Sequence, residues 1–233
     1  MKAMILAAGR GARLSPLTDT TPKPLLKVAG KTLIDWQLDR LCAAGFTEFV
    51  VNLGYLGEQI RDHLNRHTRP GIDIQFSVEP PSALETGGGI VQALPMLGAG
   101  CFAVVNADVW TDFDFARLRH LAASAQAEHW RGHLILVPNP DHNPDGDFGL
   151  YNGFVRDQTN QRFTFTGLSI LDSRLFATLK PGRFPLAPIL TAAATRNALT
   201  GELHFGEWSD IGTIERLREI NDINLAIEDE TEI

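Results

Sequence analysis

The sequence predicts an α/β protein, Rossmann-like and doubly wound, in which a mostly parallel sheet carries a small antiparallel extension. Short apolar runs rich in Val, Ile and Phe recur as far as Val137, and helical patterns separate the early ones. This alternation implies right-handed crossovers and therefore helices on both faces of the sheet. Beyond Val137 a polar loop and two strand-like segments predict the antiparallel part.

The first half of the chain contains the predicted parallel strands. The apolar runs that predict them are Met4–Ala7, Glu48–Leu53, Ile72–Val78, Cys101–Asn106 and Leu134–Val137. Helical periodicity lies between the early runs, at Leu33–Ala44, Gly57–Arg66 and Gly88–Leu97. Gly45 directly follows the first of these helices, and a glycine in this position is a typical helix stop.

The second half of the chain is less regular. Asn139–Asp147 reads NPDHNPDGD and predicts a long polar loop, and the segments GLYNGFV and RFTFTGLSIL predict antiparallel strands of a sheet extension or lid. Helical patterns return at Pro185–Thr195 and Thr213–Glu228. With 233 residues, the chain has the length of a single domain with a sizeable core.

The composition restricts the partners. A formal net charge of −7 argues against binding to nucleic acid or to an anionic membrane, and no apolar run approaches the roughly 18 residues of a membrane span. Cys42 and Cys101 lie in apolar surroundings, which favours reduced, buried thiols over a disulfide. We therefore expect a cytoplasmic protein with a small anionic partner. The sequence carries no signal for an oligomeric state.

The most informative segment follows the first strand. In the turn GRGARL (9–14) two glycines allow backbone amides to close on an anionic ligand, and Arg13 and Lys23 add positive charge nearby. A dinucleotide-binding turn would continue into a helix, whereas three prolines between Pro16 and Pro24 exclude a regular helix here. A Walker loop would end in Gly-Lys-Ser/Thr, which this turn lacks. The segment predicts a triphosphate loop of another kind.

The extended segment LAAGRGARLSPLTDTTPKPLL resembles the signature of the sugar-phosphate nucleotidyltransferases, which join a nucleoside triphosphate to a sugar 1-phosphate. Three later segments, LETGGGI (84–90), VNADVWTDFDFARL (105–118) and EWSDIGTIERL (207–217), are similar to one branch, the N-acetylmuramate 1-phosphate uridylyltransferases of cell-wall recycling. The resemblance covers essentially the whole chain and implies the nucleotide-diphospho-sugar transferase fold. It also implies a nucleotide-binding half, residues 1–110, and a sugar-binding half, residues 111–233.

The order of the motifs predicts where they meet. In doubly wound sheets, ligands gather beyond the carboxyl ends of the strands. Gly9–Arg13 follows the first predicted strand, Glu79–Gly88 follows the third, and Asn106–Asp108 ends the fourth. We therefore expect all three segments to face one crevice.

The hypothesis for the chemistry is in-line attack of the sugar phosphate on the α-phosphorus of UTP, with release of pyrophosphate and no covalent intermediate. Arg13 would hold the triphosphate, and Lys23 would neutralise charge at the α-phosphate or the incoming phosphate. Asp108 is the third catalytic candidate and would hold Mg2+ together with Asp210. From the residues alone, Asp108 could equally end a turn and Asp210 could cap the following helix; the resemblance favours the metal.

Further contacts rest on the same resemblance. The nucleotide is expected to meet Leu6, Ala7, Ala8, Gly9, Gly11, Ala12, Arg13, Lys23, Glu79, Gly87 and Gly88. The sugar site is expected to include Glu85, Thr86, Asn106, Gly146, Asp147 and Gly167. Glu85 and Thr86 could instead cap the helix ahead of Ile90.

The choice of substrate has alternatives. Many hexose 1-phosphate members carry a Val-Glu-Lys-Pro strand where this chain has FVRDQTNQRFTFTGLS, which disfavours the glucose 1-phosphate branches and leaves the second phosphate contact unassigned. A mannose 1-phosphate guanylyltransferase is a nearby alternative, and a choline-phosphate cytidylyltransferase a more remote one. A non-catalytic nucleotide-sugar-binding subunit would be expected to lose Lys23 or the aspartates. For the lactyl carboxylate of the sugar, Arg131, Arg156 and Arg162 are the candidates.

Overall fold

The computed structural model describes residues 1–81, 83–123 and 129–231, including the side chains of all of these except residues 123 and 224–231. The strands are β1 (Ala3–Leu6), β2 (Lys27–Val28), β3 (Lys31–Thr32), β4 (Glu48–Leu53), β5 (Asp73–Val78), β6 (Cys101–Asn106), β7 (Val109–Thr111), β8 (Gly132–Val137), β9 (Gly149–Tyr151), β10 (Phe154–Arg156), β11 (Thr164–Asp172), β12 (Leu199–Leu203) and β13 (Trp208–Asp210). The helices are α1 (Leu17–Thr20), α2 (Leu33–Ala43), α3 (Gly57–Arg66), α4 (Glu85–Leu97), α5 (Ala116–Ala123), α6 (Ala187–Thr195) and α7 (Ile214–Thr231).

One nine-stranded sheet organises the molecule, with the strand order β5-β4-β1-β6-β11-β8-β12-β10-β9. The pairs β5–β4, β4–β1 and β1–β6 are parallel. Strands β11 and β10 run against the others. The predicted α/β class with a mostly parallel sheet is therefore confirmed.

The antiparallel part is placed differently from the prediction. The long strand β11 is inserted within the sheet, antiparallel to both β6 and β8, and only the β9–β10 hairpin forms an extension at the edge. The sequence could not place β11, because an apolar run indicates a strand but not its neighbours. The helix α5 and the strand β12 had no counterpart among the predicted elements.

Helices cover both faces of the sheet, as the predicted crossovers require. On one face Ile34 and Leu38 of α2 and Ile60 of α3 are fully buried against the sheet. On the other face Ile90 of α4 and Leu190 of α6 enter a second core. Burial of apolar surface on both sides fixes the sheet, and with it the edge at which the parallel strands end.

Local residues set both ends of α2, and of these Gly45 was predicted as the helix stop. Thr32 caps α2, its hydroxyl accepting a hydrogen bond from the Asp35 amide at 3.3 Å, and Gly45 follows the helix with a φ of +83° that favours glycine. The prolines around the nucleotide loop were predicted to exclude a regular helix, and α1 is a single turn between two short 3-10 turns. In the described part of the chain, no helix is both long enough and apolar enough to cross a membrane.

Candidate active site

The carboxyl ends of β1, β4, β5 and β6 surround a cleft of about 410 Å³. Three segments were expected to share a crevice, namely those after β1, β5 and β6. Each of them contributes residues to the lining of this cleft. The lining consists of Leu6, Ala7, Ala8, Gly9, Gly11, Ala12, Arg13, Lys23, Pro24, Asn52, Glu79, Ala83, Glu85, Thr86, Asn106, Ala107, Asp108 and Gly212.

The nucleotide loop is held in shape from within. Gly11 has a φ of +64°, and a Cβ built on it would lie 3.1 Å from both Lys23 Cβ and Thr18 Cγ2. The Thr18 hydroxyl donates to the Gly11 carbonyl at 2.9 Å, and the Leu14 amide donates to the same carbonyl at 2.9 Å. The left-handed backbone conformation favours glycine at this position, and the neighbouring side chains leave little room for a Cβ. The turn leaves Gly9 open, since a Cβ there would meet nothing within 4 Å.

Lys23 and Asp108 form an ion pair in the cleft. Lys23 opens a short 3-10 turn, Lys23–Leu25, which follows Pro22. Its ammonium donates to Asp108 Oδ2, and the side chains are 12% and 27% exposed. Partial burial strengthens the attraction relative to a pair in water. The loop after β1 and the segment after β6 thus meet through opposite charges.

The fourth charged candidate, Asp210, lies next to this pair. The ladder between β13 and β7 places Asp210 opposite Val109, and the Ile211 amide donates to the Asp108 carbonyl at 2.9 Å. The Asp210 carboxylate accepts from Arg216 and lies 2.8 Å from His142 Nε2. The two aspartates are therefore brought to neighbouring positions by backbone pairing.

The arrangement fits a hard divalent cation. Asp108 and Asp210 offer carboxylate oxygens, the ligands that Mg2+ prefers, and each carboxylate is already paired with a cationic side chain. Among the residues that the structure describes, no group of three or more His, Cys, Asp and Glu side chains could hold a metal ion. A cation at these two aspartates would therefore depend on water and phosphate oxygens for its remaining ligands.

Arg13 points toward the same place from the nucleotide loop. A Cβ built on Gly212, in the turn after β13, would lie 2.9 Å from Arg13 Nη2 and 2.5 Å from Arg216 Nη2. The absence of a side chain at Gly212 therefore lets two guanidinium groups approach Asp210. Positive charge from the loop and from α7 converges at one end of the cleft.

Glu79 follows β5 and faces the cleft with a fixed carboxylate. Its Oε1 accepts from Asn52 Nδ2 at 2.7 Å, and its Oε2 accepts from the Leu84 amide at 2.9 Å. Although it is only 7% exposed, Glu79 is thus hydrogen-bonded through both oxygens. These two hydrogen bonds fix the position of the Glu79 carboxylate at the cleft.

Four residues at the start of α4 were predicted to contact ligand, and two of them line the cleft. Glu85 and Thr86 line the cleft, and Glu85 has a φ of +58° and accepts from Arg183 Nε at 3.0 Å, so its side chain does not cap the helix. Gly87 and Gly88 do not line the cleft. A Cβ on Gly88 would lie 2.1 Å from the Gly182 carbonyl oxygen, so these glycines let the segment before α6 pack against α4. Their contact with nucleotide stays a prediction.

The predicted sugar residues occupy two locations. Asn106 lines the cleft, and a Cβ on Gly167 would lie 2.5 Å from Asn106 Nδ2, so the irregularity in β11 allows these residues to touch. Gly146 and Asp147 lie outside the cleft lining. The Asp147 carboxylate accepts from the Phe165 amide at 2.7 Å, which ties the polar loop to β11. A role for this loop in sugar binding stays a prediction.

The three arginines considered for the lactyl carboxylate differ in position. Arg131 precedes β8, at the amino end of the strand, whereas the cleft lies beyond the carboxyl ends. Arg156 lies over the Phe154 ring, 5.5 Å from its centroid. Arg162 donates to the carbonyl oxygens of Asp157, at 2.5 Å, and Asp147, and so supports the polar loop. Of the three, Arg162 has contact with a predicted sugar-site segment.

The sequence did not predict three polar residues of this region. Asn52 lines the cleft, and Arg216 and His142 contact Asp210. The available signal for Asn52 was a polar residue within the apolar strand EFVVNL. Arg216 and His142 carried no comparable signal, because arginine on a helix and histidine in a polar loop are ordinary surface residues.

A solved structure shares the fold of this chain. The chain superposes on the solved structure of a Bacillus anthracis protein assigned as a glucose-1-phosphate thymidylyltransferase, with a TM-score of 0.82, 22% identity and coverage of 96% of this chain and 94% of that chain. At this identity the likeness shows the fold alone.

Sequence comparison gives the family. The nucleotidyl transferase family pattern matches residues 2–164. An N-acetylmuramate alpha-1-phosphate uridylyltransferase of Neisseria meningitidis serogroup B is 52% identical over 223 residues, which cover 94% of this chain and 96% of that protein. A protein of the same name from Caulobacter vibrioides is 35% identical over 90% of this chain and 91% of its own length. The chain belongs to the nucleotidyl transferase family.

Proposed function

We propose that this protein transfers the uridylyl group of UTP to N-acetylmuramate α-1-phosphate, giving UDP-N-acetylmuramate and pyrophosphate in peptidoglycan recycling. The observation that carries the reaction type is the convergence of Arg13, Lys23 and Asp108 in the cleft beyond β1 and β6. The choice of substrates rests on the names of the Neisseria and Caulobacter relatives.

The chemistry is a single displacement at phosphorus. An ionised oxygen of the sugar phosphate forms a bond to the α-phosphorus of UTP, and the bond from that phosphorus to the oxygen bridging to the β-phosphorus breaks. Its electron pair leaves with pyrophosphate. A phosphate monoester is largely ionised at neutral pH, so the attack needs no side chain to remove a proton. Positioning and charge neutralisation are then the main tasks of the protein.

The cleft supplies the charges for this task. In the proposed complex Arg13 binds the triphosphate, and the Lys23 ammonium neutralises charge at the α-phosphate or the incoming phosphate. For this to happen, Lys23 exchanges its contact with Asp108 for phosphate oxygens. The open face of Gly9 permits close approach of the phosphates to backbone amides.

A bound Mg2+ would be held by Asp108 and Asp210, and it would neutralise charge on the phosphate oxygens. This assignment is supported by the adjacent placement of the two carboxylates across the β7–β13 ladder. With both carboxylates committed to the cation, Lys23 and Arg216 would become free to meet anionic oxygens.

A cytoplasmic location suits this reaction, because UTP is made and kept there. Within the protein, the observation that supports this location is the state of the two cysteine thiols. Both cysteines are free and half-buried rather than fully buried as predicted, and this partial burial raises the pKa of the Cys42 and Cys101 thiols.

The decisive experiment is a substrate matrix. Pyrophosphate release is measured with Mg2+ for UTP, CTP, GTP and ATP, each against N-acetylmuramate, glucose, mannose and N-acetylglucosamine 1-phosphates. We expect the pair UTP and N-acetylmuramate α-1-phosphate to give the highest kcat/KM. A preference for GTP with mannose 1-phosphate would replace the substrates while keeping the reaction, and silence across the matrix would indicate a binding subunit without turnover.

A further inference from the structure

One buried amide joins the nucleotide loop to the carboxylate of Glu79. Asn52 lies in β4, which the sheet places between β1 and β5, and it is 3% exposed. Its Oδ1 accepts from the Ala7 amide at 2.6 Å, and its Nδ2 donates to Glu79 Oε1 at 2.7 Å. A single side chain therefore connects the ends of three neighbouring strands at the cleft.

The Ala7 backbone amide and the Glu79 carboxylate determine the orientation of the Asn52 side-chain amide. A backbone N–H can only donate and an ionised carboxylate can only accept, so the bridging group must present one acceptor and one donor. Aspartate would place an oxygen against Glu79, and an apolar residue would leave both buried partners unsatisfied. Of the residues short enough for this position, asparagine meets both demands.

On the side away from Asn52, the Glu79 carboxylate is held by contacts with the start of α4 and the residue before it. The Leu84 amide donates to its Oε2 at 2.9 Å, and a Cβ built on Gly89 of α4 would lie 2.6 Å from its Oε1. The carboxylate is thus confined between β4 and the start of α4, and Asn52 supplies the contact that sets the position of Oε1. Both Asn52 and Glu79 line the cleft.

We infer that Asn52 is a positioning residue for base selection, acting through Glu79. The inference rests on the proposed function and on the predicted contact between the nucleotide and Glu79, a contact that we assign to the base. Uracil presents an N3–H donor that a fixed carboxylate oxygen accepts, whereas cytosine presents a lone pair at N3 that the same oxygen repels. Discrimination between UTP and CTP then depends on how firmly Asn52 holds Glu79.

The test compares Asn52→Asp with the wild type for UTP and CTP. The variant keeps the acceptor for Ala7 but turns the donor into an oxygen that faces Glu79. We expect KM for UTP to rise about tenfold or more with kcat within about threefold, and the preference for UTP over CTP to fall by a similar factor. Calorimetric titration of UTP without sugar phosphate should show the same loss of affinity.

A double variant that exchanges the amide and the carboxylate between positions 52 and 79 tests whether UTP binding is restored. In Asn52→Asp with Glu79→Gln, the new amide can donate to the new carboxylate, so KM for UTP should recover by most of the loss. The base preference is not compared in this double variant, because the variant replaces the carboxylate proposed to read the base. Ser77→Ala is the matched control: Ser77 lies opposite Asn52 in the strand register, is 1% exposed and does not line the cleft. It should change neither KM for UTP nor the base preference.

The outcomes separate the inference from the proposed function. A wild type without uridylyl transfer would overturn the function, whereas an active wild type with unchanged KM and base preference in Asn52→Asp would overturn the inference. A fall in kcat and melting temperature with the base preference intact, and no recovery in the double variant, would also overturn it. If Asn52→Asp does not fold, Asn52→Ala removes both hydrogen bonds without adding charge and must show the same loss of preference.

Discussion

A single ammonium group, that of Lys23, links the nucleotide loop to Asp108. Replacing it in Lys23→Ala removes the cation proposed to meet the phosphates, and we expect kcat/KM for pyrophosphate release to fall by about two to three orders of magnitude. The fold should persist, because Asp108 is 27% exposed and water can solvate the freed carboxylate. Circular dichroism and thermal melting report the fold in the same samples.

Lys180→Ala serves as the control for this prediction. Lys180 is an exposed lysine outside the cleft lining, so its loss changes the net charge by the same amount without touching the proposed site. Equal activity of Lys23→Ala and Lys180→Ala would remove Lys23 from the mechanism.

The short ladder of β7 and β13 is the element that places the carboxylates of Asp108 and Asp210 near each other. Asp108→Asn and Asp210→Asn should each raise the Mg2+ concentration that gives half-maximal activity by about tenfold or more, because each removes one charged oxygen ligand. Titration of Mg2+ in the pyrophosphate assay measures this. Asp222→Asn, on the exposed side of α7, should leave the requirement unchanged. An unchanged requirement in both site variants would contradict the proposed metal ligands.

The contact between β8 and β12 buries a histidine that is unrelated to the cleft. Burial lowers the pKa of His133 from 6.5 to about 4, despite the opposing effect of Glu202. The folded protein therefore binds fewer protons than the unfolded chain between about pH 6.5 and pH 4, and stability must fall as the pH drops through this window. At pH 5 the loss from this group is about 2 kcal/mol.

Urea unfolding at pH 7 and pH 5 measures that loss. In His133→Gln the group no longer titrates, so the decrease in unfolding free energy between the two pH values should be smaller than in the wild type by about 2 kcal/mol. His129→Gln, at an exposed position, should keep the wild-type decrease. A wild-type decrease in His133→Gln would mean that His133 does not keep its depressed pKa in solution.

At the scale of elements, the sequence was most informative where one physical cause dominates. Strands β1, β4 and β6 are buried on both faces, so each reads as a continuous apolar run that predicts its bounds to within a residue. Strand β12 reads LTGEL, where Gly201 and Glu202 interrupt the apolar pattern, and α5 has only eight residues, ARLRHLAA, too few for a clear helical period. Their places depend on tertiary neighbours, which local pattern does not contain.

At the scale of the whole molecule, the sequence predicts motifs whose residues are close together in the chain. It does not predict contacts between segments that are far apart in the chain. The six residues of the loop GRGARL are enough to predict a phosphate site, and the structure places Gly9, Gly11, Ala12 and Arg13 in the cleft lining. Asn52, by contrast, bonds to groups 45 and 27 residues away, and those contacts exist only in the register that sets Leu6 beside Asn52. Register follows from the packing of the complete sheet, so this part of the site could not be predicted from the sequence.

The continuity of the nine-stranded sheet predicts how nucleotide binding affects the chain as a unit. The proposed UTP contacts lie mostly before residue 110, yet β6 pairs directly with β11, which pairs with β8. With Mg2+ and UTP at about 100 times the dissociation constant, the stabilisation is about 2.7 kcal/mol, which corresponds to a rise of about 5–10 °C in the melting temperature.

Because the sheet joins the two halves, this rise should appear as a shift of one transition. Hydrogen exchange should slow in β12 as well as in β4, although β12 does not line the cleft. Arg13→Ala should lose most of the shift at the same UTP concentration, since it lacks the cation proposed to hold the triphosphate. Protection confined to β4, or a second transition that UTP leaves unmoved, would mean that residues 1–110 and 111–233 unfold separately and that the cleft is stabilised from one side only.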